Sequence, residues 1–224
     1  MSSPLVASPL DATLLVIAKA PRPGRVKTRL CPPCTPRQAA DIAAAALEDT
    51  LATIAAVPVA HRLLVLDGPP GGWVPDAFEV VPQVDGDLGA RLAAAFAAVA
   101  GPAFLVGMDT PQLSAAQCVG ALRDLADPNI DAVLGKATDG GWWGIGVSQP
   151  APAIFDGVPM SSSETGRAQL HRMRLLGLRT RLLPELCDVD HFSEARAVAA
   201  RLPGSRFAAA VSSVVAVGEL ARSS

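Results

Sequence analysis

Eleven consecutive residues, Lys19-Ala20-Pro21-Arg22-Pro23-Gly24-Arg25-Val26-Lys27-Thr28-Arg29, carry five cationic side chains. Charge at that density suits a polyanion such as a phosphate chain, with Lys19, Arg22, Lys27 and Arg29 as candidate ligands. Pro21 and Pro23 stiffen the loop, and Gly24 lets the backbone approach the ligand closely. The loop is neither a Walker A motif, because Gly24 and Lys27 are not adjacent, nor a G-x-G-x-x-G fingerprint. Carboxylates follow further along, at Gly107-Met108-Asp109-Thr110-Pro111 and at Asp188-Val189-Asp190. Hard divalent cations, magnesium or manganese, take oxygen ligands and are commonly shared with phosphate oxygens, so Asp109 and Asp190 are candidate metal ligands. Asp139-Gly140-Gly141-Trp142-Trp143 joins a carboxylate to paired glycines and flat indole surface that a sugar or base could lie against; the alternative is a tight turn with tryptophan in the core. Gly86-Asp87-Leu88-Gly89 opens a helix whose free N–H groups favour an anion or a base's carbonyl edge, unless Asp87 simply caps it. Ser161-Ser162-Ser163-Glu164 reads equally as a capping box and as a binding loop.

For these residues to meet, the elements that carry them must end at one rim. Strands are expected over residues 14–19, 62–67, 78–82, 103–107, 131–135, 142–147 and 178–183. Helical patterns run from Thr35 or Pro36 to about 56, then over 88–100, 114–126, 164–177 and, more briefly, 193–201. Strands alternating with helices of this length predict a three-layer α/β sandwich with a mostly parallel, Rossmann-like sheet. In such sheets ligands bind beyond the carboxyl ends of the strands, where strand order reverses. The cationic loop, the Asp109 and Asp190 segments and the Asp139 turn each follow a predicted strand. One domain over residues 13–203 is expected, preceded by a flexible stretch, 1–12, and followed by a helical tail, 204–224.

Composition narrows the partners. The 224 residues hold 19 basic against 21 acidic side chains, a formal charge of −2, which excludes a general nucleic-acid or anionic-membrane binder. With 50% hydrophobic residues the chain is too apolar to be disordered. There is no signal-peptide pattern and no apolar run of about 20 residues, so a cytoplasmic location is expected. Lys19, Lys27 and Lys136 are the three lysines, and two of them fall in the cationic loop. Cys31 and Cys34 form a C-x-x-C pair, but no second pair or close histidine pair accompanies it, and the four cysteines read as ordinary thiols.

The ordered set of motifs, from Ala18 through Leu30, then Gly86 to Gly89, Gly107 to Pro111, Asp139 to Gly141 and Asp188 to Asp190, resembles a bacterial family of glycosyltransferase-A-like proteins, the nucleotide-diphospho-sugar transferases, including arsenosugar-type glycosyltransferases. The first loop is also similar to that of 2-phospholactate and molybdenum-cofactor guanylyltransferases. The chain departs from the family pattern at Met108, at Trp142-Trp143 and at His191-Phe192. The resemblance implies a GT-A fold and a magnesium or manganese ion that holds a nucleotide's phosphates through Asp109 and Asp190. It further implies phosphate and nucleotide contacts from Lys19, Arg22, Gly24, Lys27, Arg29, Asp87 and Gly89, an acceptor pocket at Gly140, Gly141 and Trp142, and Asp139 near the sugar or acting as general base. Three functions remain open on these residues. One is metal-dependent glycosyl transfer from a nucleotide-diphosphate sugar to a small-molecule acceptor, the second is nucleotidyl transfer from a triphosphate with release of pyrophosphate, and the third is nucleotide binding without catalysis.

Overall fold

The computed structural model describes residues 9–220. Seven strands, β1 (Leu10–Lys19), β2 (Val59–Asp67), β3 (Glu79–Pro82), β4 (Ala103–Val106), β5 (Ala132–Ala137), β6 (Trp142–Val147) and β7 (Thr180–Leu186), form one sheet in the order β3-β2-β1-β4-β6-β5-β7. Only β6 runs antiparallel to its neighbours, β4 and β5. The other pairs are parallel, as expected for strands joined by helical crossovers. The helices are α1 (Pro36–Ala55), α2 (Leu88–Ala97), α3 (Ala115–Leu125), α4 (Thr165–Leu175), α5 (Phe192–Ala199) and α6 (Arg206–Leu220).

Alternation along the central strands sends side chains to two cores. Leu14, Val16, Leu64 and Leu66 face Leu47, Leu51 and Ile54 of α1 and Leu122 of α3. Leu15, Leu63 and Val65 face Leu92 and Phe96 of α2, Met173 of α4, and a 3-10 turn at Pro152–Phe155. The result is the three-layer sandwich, with one addition. The outer side of α1, through Ala39, Ile42 and Ala46, meets Ala195 and Val198 of α5 and Phe207 and Val211 of α6. A helix buried on two sides needs small residues, and the alanines of α1 supply them.

Local chemistry sets the boundaries. Thr35 and Gln38 form a reciprocal capping box at α1, and Ser114 and Gln117 do the same at α3. At α4 the capping box that Ser161–Glu164 could have formed does not form. Glu164 itself is the N-cap and makes no side-chain cap, because Thr165 takes over the local hydrogen bonds, donating to the Pro159 carbonyl at 2.7 Å and accepting from the Ser162 amide at 3.1 Å. β1 begins at Leu10, earlier than its apolar run suggested, so residues 10–12 belong to the sheet; residues 1–8 and 221–224 lie outside the described region. The tail is α6, seated against α1, with Asp49 accepting from the Phe207 amide at 2.9 Å. Both edge strands carry a proline, Pro82 in β3 and Pro184 in β7. Among the described residues no helix is long and apolar enough to cross a membrane.

Candidate functional site

β1 lies between β2 and β4, so the chain leaves it in one direction and returns on its other side, which opens a crevice at the carboxyl ends. A cavity of about 310 Å³ occupies that crevice, lined by Lys19, Ala20, Arg22, Gly24 and Arg25 after β1 and by Asp67 and Gly68 after β2. Gly24 has φ +74°, a conformation costly for any residue with a Cβ, so its glycine is a requirement of the turn. Side-chain contacts tie together the elements around the cavity. The Gln83 amide donates to the Ala18 and Val65 carbonyls at 2.8 and 3.1 Å, and Arg91 of α2 reaches the Gly86 carbonyl at 3.0 Å and the Asp67 carboxylate at 3.6 Å. Lys19 presents its side chain to solvent at this mouth while its amide donates to the Met108 thioether at 3.3 Å.

Beside the cavity stands a group of carboxylates. Backbone bonds tie the loops after β4, β5 and β7 together. The Val189 amide donates to the Asp109 carbonyl at 3.1 Å, and the Thr138 amide donates to the Leu186 carbonyl at 3.0 Å. Gln112 adds a side-chain bond to the Cys187 carbonyl at 2.5 Å. Glu194 of α5 accepts from the Asp190 and His191 amides, both at 2.7 Å, and so fixes the turn that carries Asp190. Into this arrangement comes Lys27, its side chain only 7% exposed, with Nζ 2.7 Å from Asp109 and 3.5 Å from Asp190 and donating to the Val189 carbonyl. Burial works against the Lys27 charge, but Asp109, Asp188 and Asp190 outweigh it and hold its pKa above the ordinary lysine value. Arg29 pairs with the other Asp190 oxygen at 2.5 Å. Asp188 is the strained partner: burial first, then repulsion from Asp109, Asp190 and Asp139, push its carboxyl up to about 7 against the pull of Lys27.

The candidate residues thus divide. Lys19, Arg22 and Gly24 line the cavity, whereas Lys27 and Arg29 turn away from it toward acid. Asp109, Asp139 and Asp190 come together around Asp188. Asp87 is the N-cap of α2, accepting from the Ala90 amide at 2.8 Å, and Gly89 lies against Phe155 and Met160; neither lines the cavity. Asp139 accepts from the Gly141 amide at 2.9 Å, closing a turn in which Gly140, at φ +92°, meets the start of α4. The tryptophans separate by alternation. Trp143 is buried in the core, edge-on to Phe104 with its indole N–H on the Pro184 carbonyl at 3.0 Å, while Trp142 is half-buried on the other face. Sequence reasoning passed over Arg25, Asp67, Gly68 and Asp188 as site residues. Asp67 was findable, since it ends a predicted strand, and Arg25 was one of the five counted cations. The four cysteines are free thiols, and burial pushes Cys34 up to about 11 and Cys118 to about 12, which leaves them inert.

The donors suit a hard divalent cation. Among the described residues no three carboxylate, thiol or imidazole side chains converge on a common point, but magnesium commonly takes one or two carboxylates and completes its shell with phosphate oxygens and water. Lys27 is shared between Asp109 and Asp190 and Arg29 takes Asp190 as well, while Asp188 and Asp139 add further acidic groups nearby. Among the described residues the buried side-chain atoms without a partner are Thr110 Oγ1, Gln112 Oε1, Trp142 Nε1 and Gln169 Oε1, and two of these four, Thr110 and Gln112, lie in the loop after β4 that carries Asp109. Buried polar atoms are otherwise almost always paired, so Thr110 and Gln112 leave unused polar capacity beside Asp109.

The whole fold is similar to that of a Desulfovibrio desulfuricans G20 protein to which the role of nucleotide-diphospho-sugar transferase is ascribed, with TM-score 0.82 and 25% identity over 92% of this chain and 95% of that one. The sandwich is shared with the mannosyltransferase PcManGT of Pyrobaculum calidifontis, solved with GDP-Man and Mn2+, at TM-score 0.53 and 14% identity over 92% of this chain and 65% of that one. It is shared also with the 4-diphosphocytidyl-2C-methyl-D-erythritol synthase of Anaerococcus prevotii DSM 20548, at TM-score 0.53 and 10% identity over 85% and 96%. No curated protein matches the sequence. The resemblance to nucleotide-diphospho-sugar transferases therefore extends to the three-dimensional fold. Residues 42–162, more than half of the 224, match the family described as an uncharacterized protein conserved in bacteria (DUF2064), and the chain belongs to that family.

Proposed function

We propose that this protein is a divalent-cation-dependent transferase that moves a glycosyl group from a nucleotide-diphosphate sugar to a small-molecule acceptor. The observation that carries the reading is the division of the cationic loop. Of its five cations, Lys27 and Arg29 are engaged with aspartates, and Lys19, Arg22 and Arg25 remain at the cavity. Three cations at the cavity beside a carboxylate centre suit the phosphate chain of a nucleotide, and the likeness of the whole fold to a protein ascribed a nucleotide-diphospho-sugar transferase role supports the diphosphate of a sugar donor over a triphosphate. Asp109 and Asp190, with Asp188 behind them, would hold magnesium or manganese, which would supply positive charge to the phosphates. Lys19, Arg22 and Arg25 bind the diphosphate and stabilise the charge that grows on it as the sugar leaves. Asp67, at the end of β2, is placed to accept from nucleoside hydroxyl or amine groups. Asp139 lies across the centre toward Gly140, Gly141 and Trp142, where a carboxylate can take the proton of an acceptor hydroxyl.

A thermal-shift panel of nucleoside mono-, di- and triphosphates, with and without magnesium or manganese, tests binding, since stabilisation grows with ligand concentration over dissociation constant. A metal-dependent preference for one diphosphate, followed by release of that diphosphate from a sugar donor, is the expected result. Release of pyrophosphate from a triphosphate would instead establish nucleotidyl transfer, and binding without turnover over a broad donor panel would establish a non-catalytic role. In the Asp109→Ala variant the metal dependence is lost; wild-type-like nucleotide affinity in a manganese titration would remove Asp109 from the centre.

A further inference from the structure

Lys27 is placed unlike any other cation among the described residues. Its backbone is left-handed, at φ 47° and ψ 38°, a conformation uncommon outside glycine, and its side chain is buried whereas those of Lys19, Arg22, Arg25 and Arg29 are exposed. The inward stem is buried, and the ammonium meets oxygens of three residues, Asp109, Val189 and Asp190, 82 to 163 positions away in sequence. A compact cation surrounded by hard oxygen donors is the coordination problem that a divalent ion also solves, with more charge and shorter contacts.

We propose that Lys27 is the resident counter-cation of the carboxylate centre, standing between Asp109 and Asp190 where a nucleotide-bound divalent cation would carry charge, and that its ammonium withdraws when that cation enters. The inference rests on the metal-centre reading above. Charge balance around the buried Lys27 ammonium calls for an exchange instead of simple addition. Withdrawing Lys27 alone would leave the half-buried Asp109 without its ion-pair partner and Asp190 with Arg29 alone, and adding a divalent ion beside an unmoved ammonium would set like charges against each other. Incoming phosphates offer the displaced ammonium a new partner, on a flexible four-carbon stem next to the cationic cavity. Metal and nucleotide therefore bind with positive coupling: each relieves a cost that the other meets alone.

The test uses metal-stripped full-length protein and manganese alone. Calorimetric titration compares the wild type with Lys27→Met, which keeps length and removes charge, and with Lys27→Arg, which keeps charge. A unit charge within about 4–6 Å of a carboxylate alters its proton affinity by one to three pKa units, so manganese should bind Lys27→Met at least about tenfold tighter than wild type. Lys27→Arg should stay within a few-fold of wild type. In the wild type, labelled with nitrogen-15 lysine, three ammonium signals are possible because the chain has three lysines. The Lys27 protons should exchange slowly without metal and faster at saturating magnesium. This second readout decides the matter should Lys27→Met fail to fold. Equal manganese affinity in wild type and Lys27→Met, or unchanged Lys27 exchange at magnesium saturation, overturns the role of Lys27 while leaving the metal centre intact. Failure of both proteins to bind manganese, with nucleotide binding preserved, overturns the metal centre and this inference with it.

Discussion

Arg22 and Arg25 are exposed at the cavity mouth, so their guanidinium groups can be removed without disturbing the packed core. Hydrogen bonds to charged groups contribute about 1.5–3 kcal/mol, so Arg22→Ala and Arg25→Ala should each weaken nucleoside diphosphate binding about tenfold or more while the melting temperature stays level. Equilibrium titration with a melting control checks both. Asp188 gives a pH signature in the metal-free protein. Its folded pKa, about 7, lies above the ordinary carboxylate value, so the native state holds this proton more tightly than the unfolded chain does. Ionisation of Asp188 therefore costs stability that is absent below about pH 4, grows up to about pH 7 and is level above it. Asp188→Asn should melt higher than wild type at pH 8 and no higher at pH 4; the opposite slope would show that Asp188 is not held protonated. At this scale the sequence revealed which types of residue gather, since cations and aspartates mark themselves. Their partners were hidden, because Lys27 meets Asp190 across 163 positions and a left-handed residue leaves no trace in composition.

The turn between β5 and β6 shows how elements hold the site. Gly140 has φ +92°, and a Cβ there would lie 2.1 Å from the Ser163 carbonyl oxygen, in backbone that cannot swing aside. Gly140→Ala should cost about 2 kcal/mol or more and lower the melting temperature by several degrees. Gly120, by contrast, lies inside α3 with nothing within 4 Å of its missing Cβ, so Gly120→Ala should raise stability by about 0.5–1 kcal/mol. Opposite signs in paired melting curves check both at once. Most elements were legible to within a few residues, because buried apolar runs, Thr35 and Ser114 caps and Gly/Pro punctuation are local. The reversed direction of β6 was not. Its six residues read as a strand, but nothing in Trp142 to Val147 states which way a strand lies beside β4. The start of α4 was legible to within a residue, but of the two readings open for Ser161 to Glu164 the capping box does not form, because Thr165 competes for the same local bonds.

Across the whole molecule, the α1–α5–α6 layer also supports the functional rim, for Leu30 from the cationic loop and Val189 from between Asp188 and Asp190 belong to the same apolar cluster as Phe207. Phe207 is fully buried, and Phe207→Ala should cost about 3–5 kcal/mol, lowering the melting temperature by on the order of 10 °C. The Val189 amide, bonded to Asp109, should also exchange faster with solvent; unchanged protection there would mean that α6 stabilises the fold without steadying the site. The sandwich was legible in the alternation of strands and helices, whereas the extra layer on α1 was not, since alanines buried on a second side look like alanines facing water. The sheet's outer margins bear on a different property. Pro82 and Pro184 each delete one donor from a border strand, and the long border at β7 adds charged Arg181 and Glu185. A neighbouring chain that tried to zip onto either border would find the ladder interrupted. The seven-stranded sheet is thereby guarded against lengthening into fibrils, including at the high concentrations that crowd partly unfolded chains together.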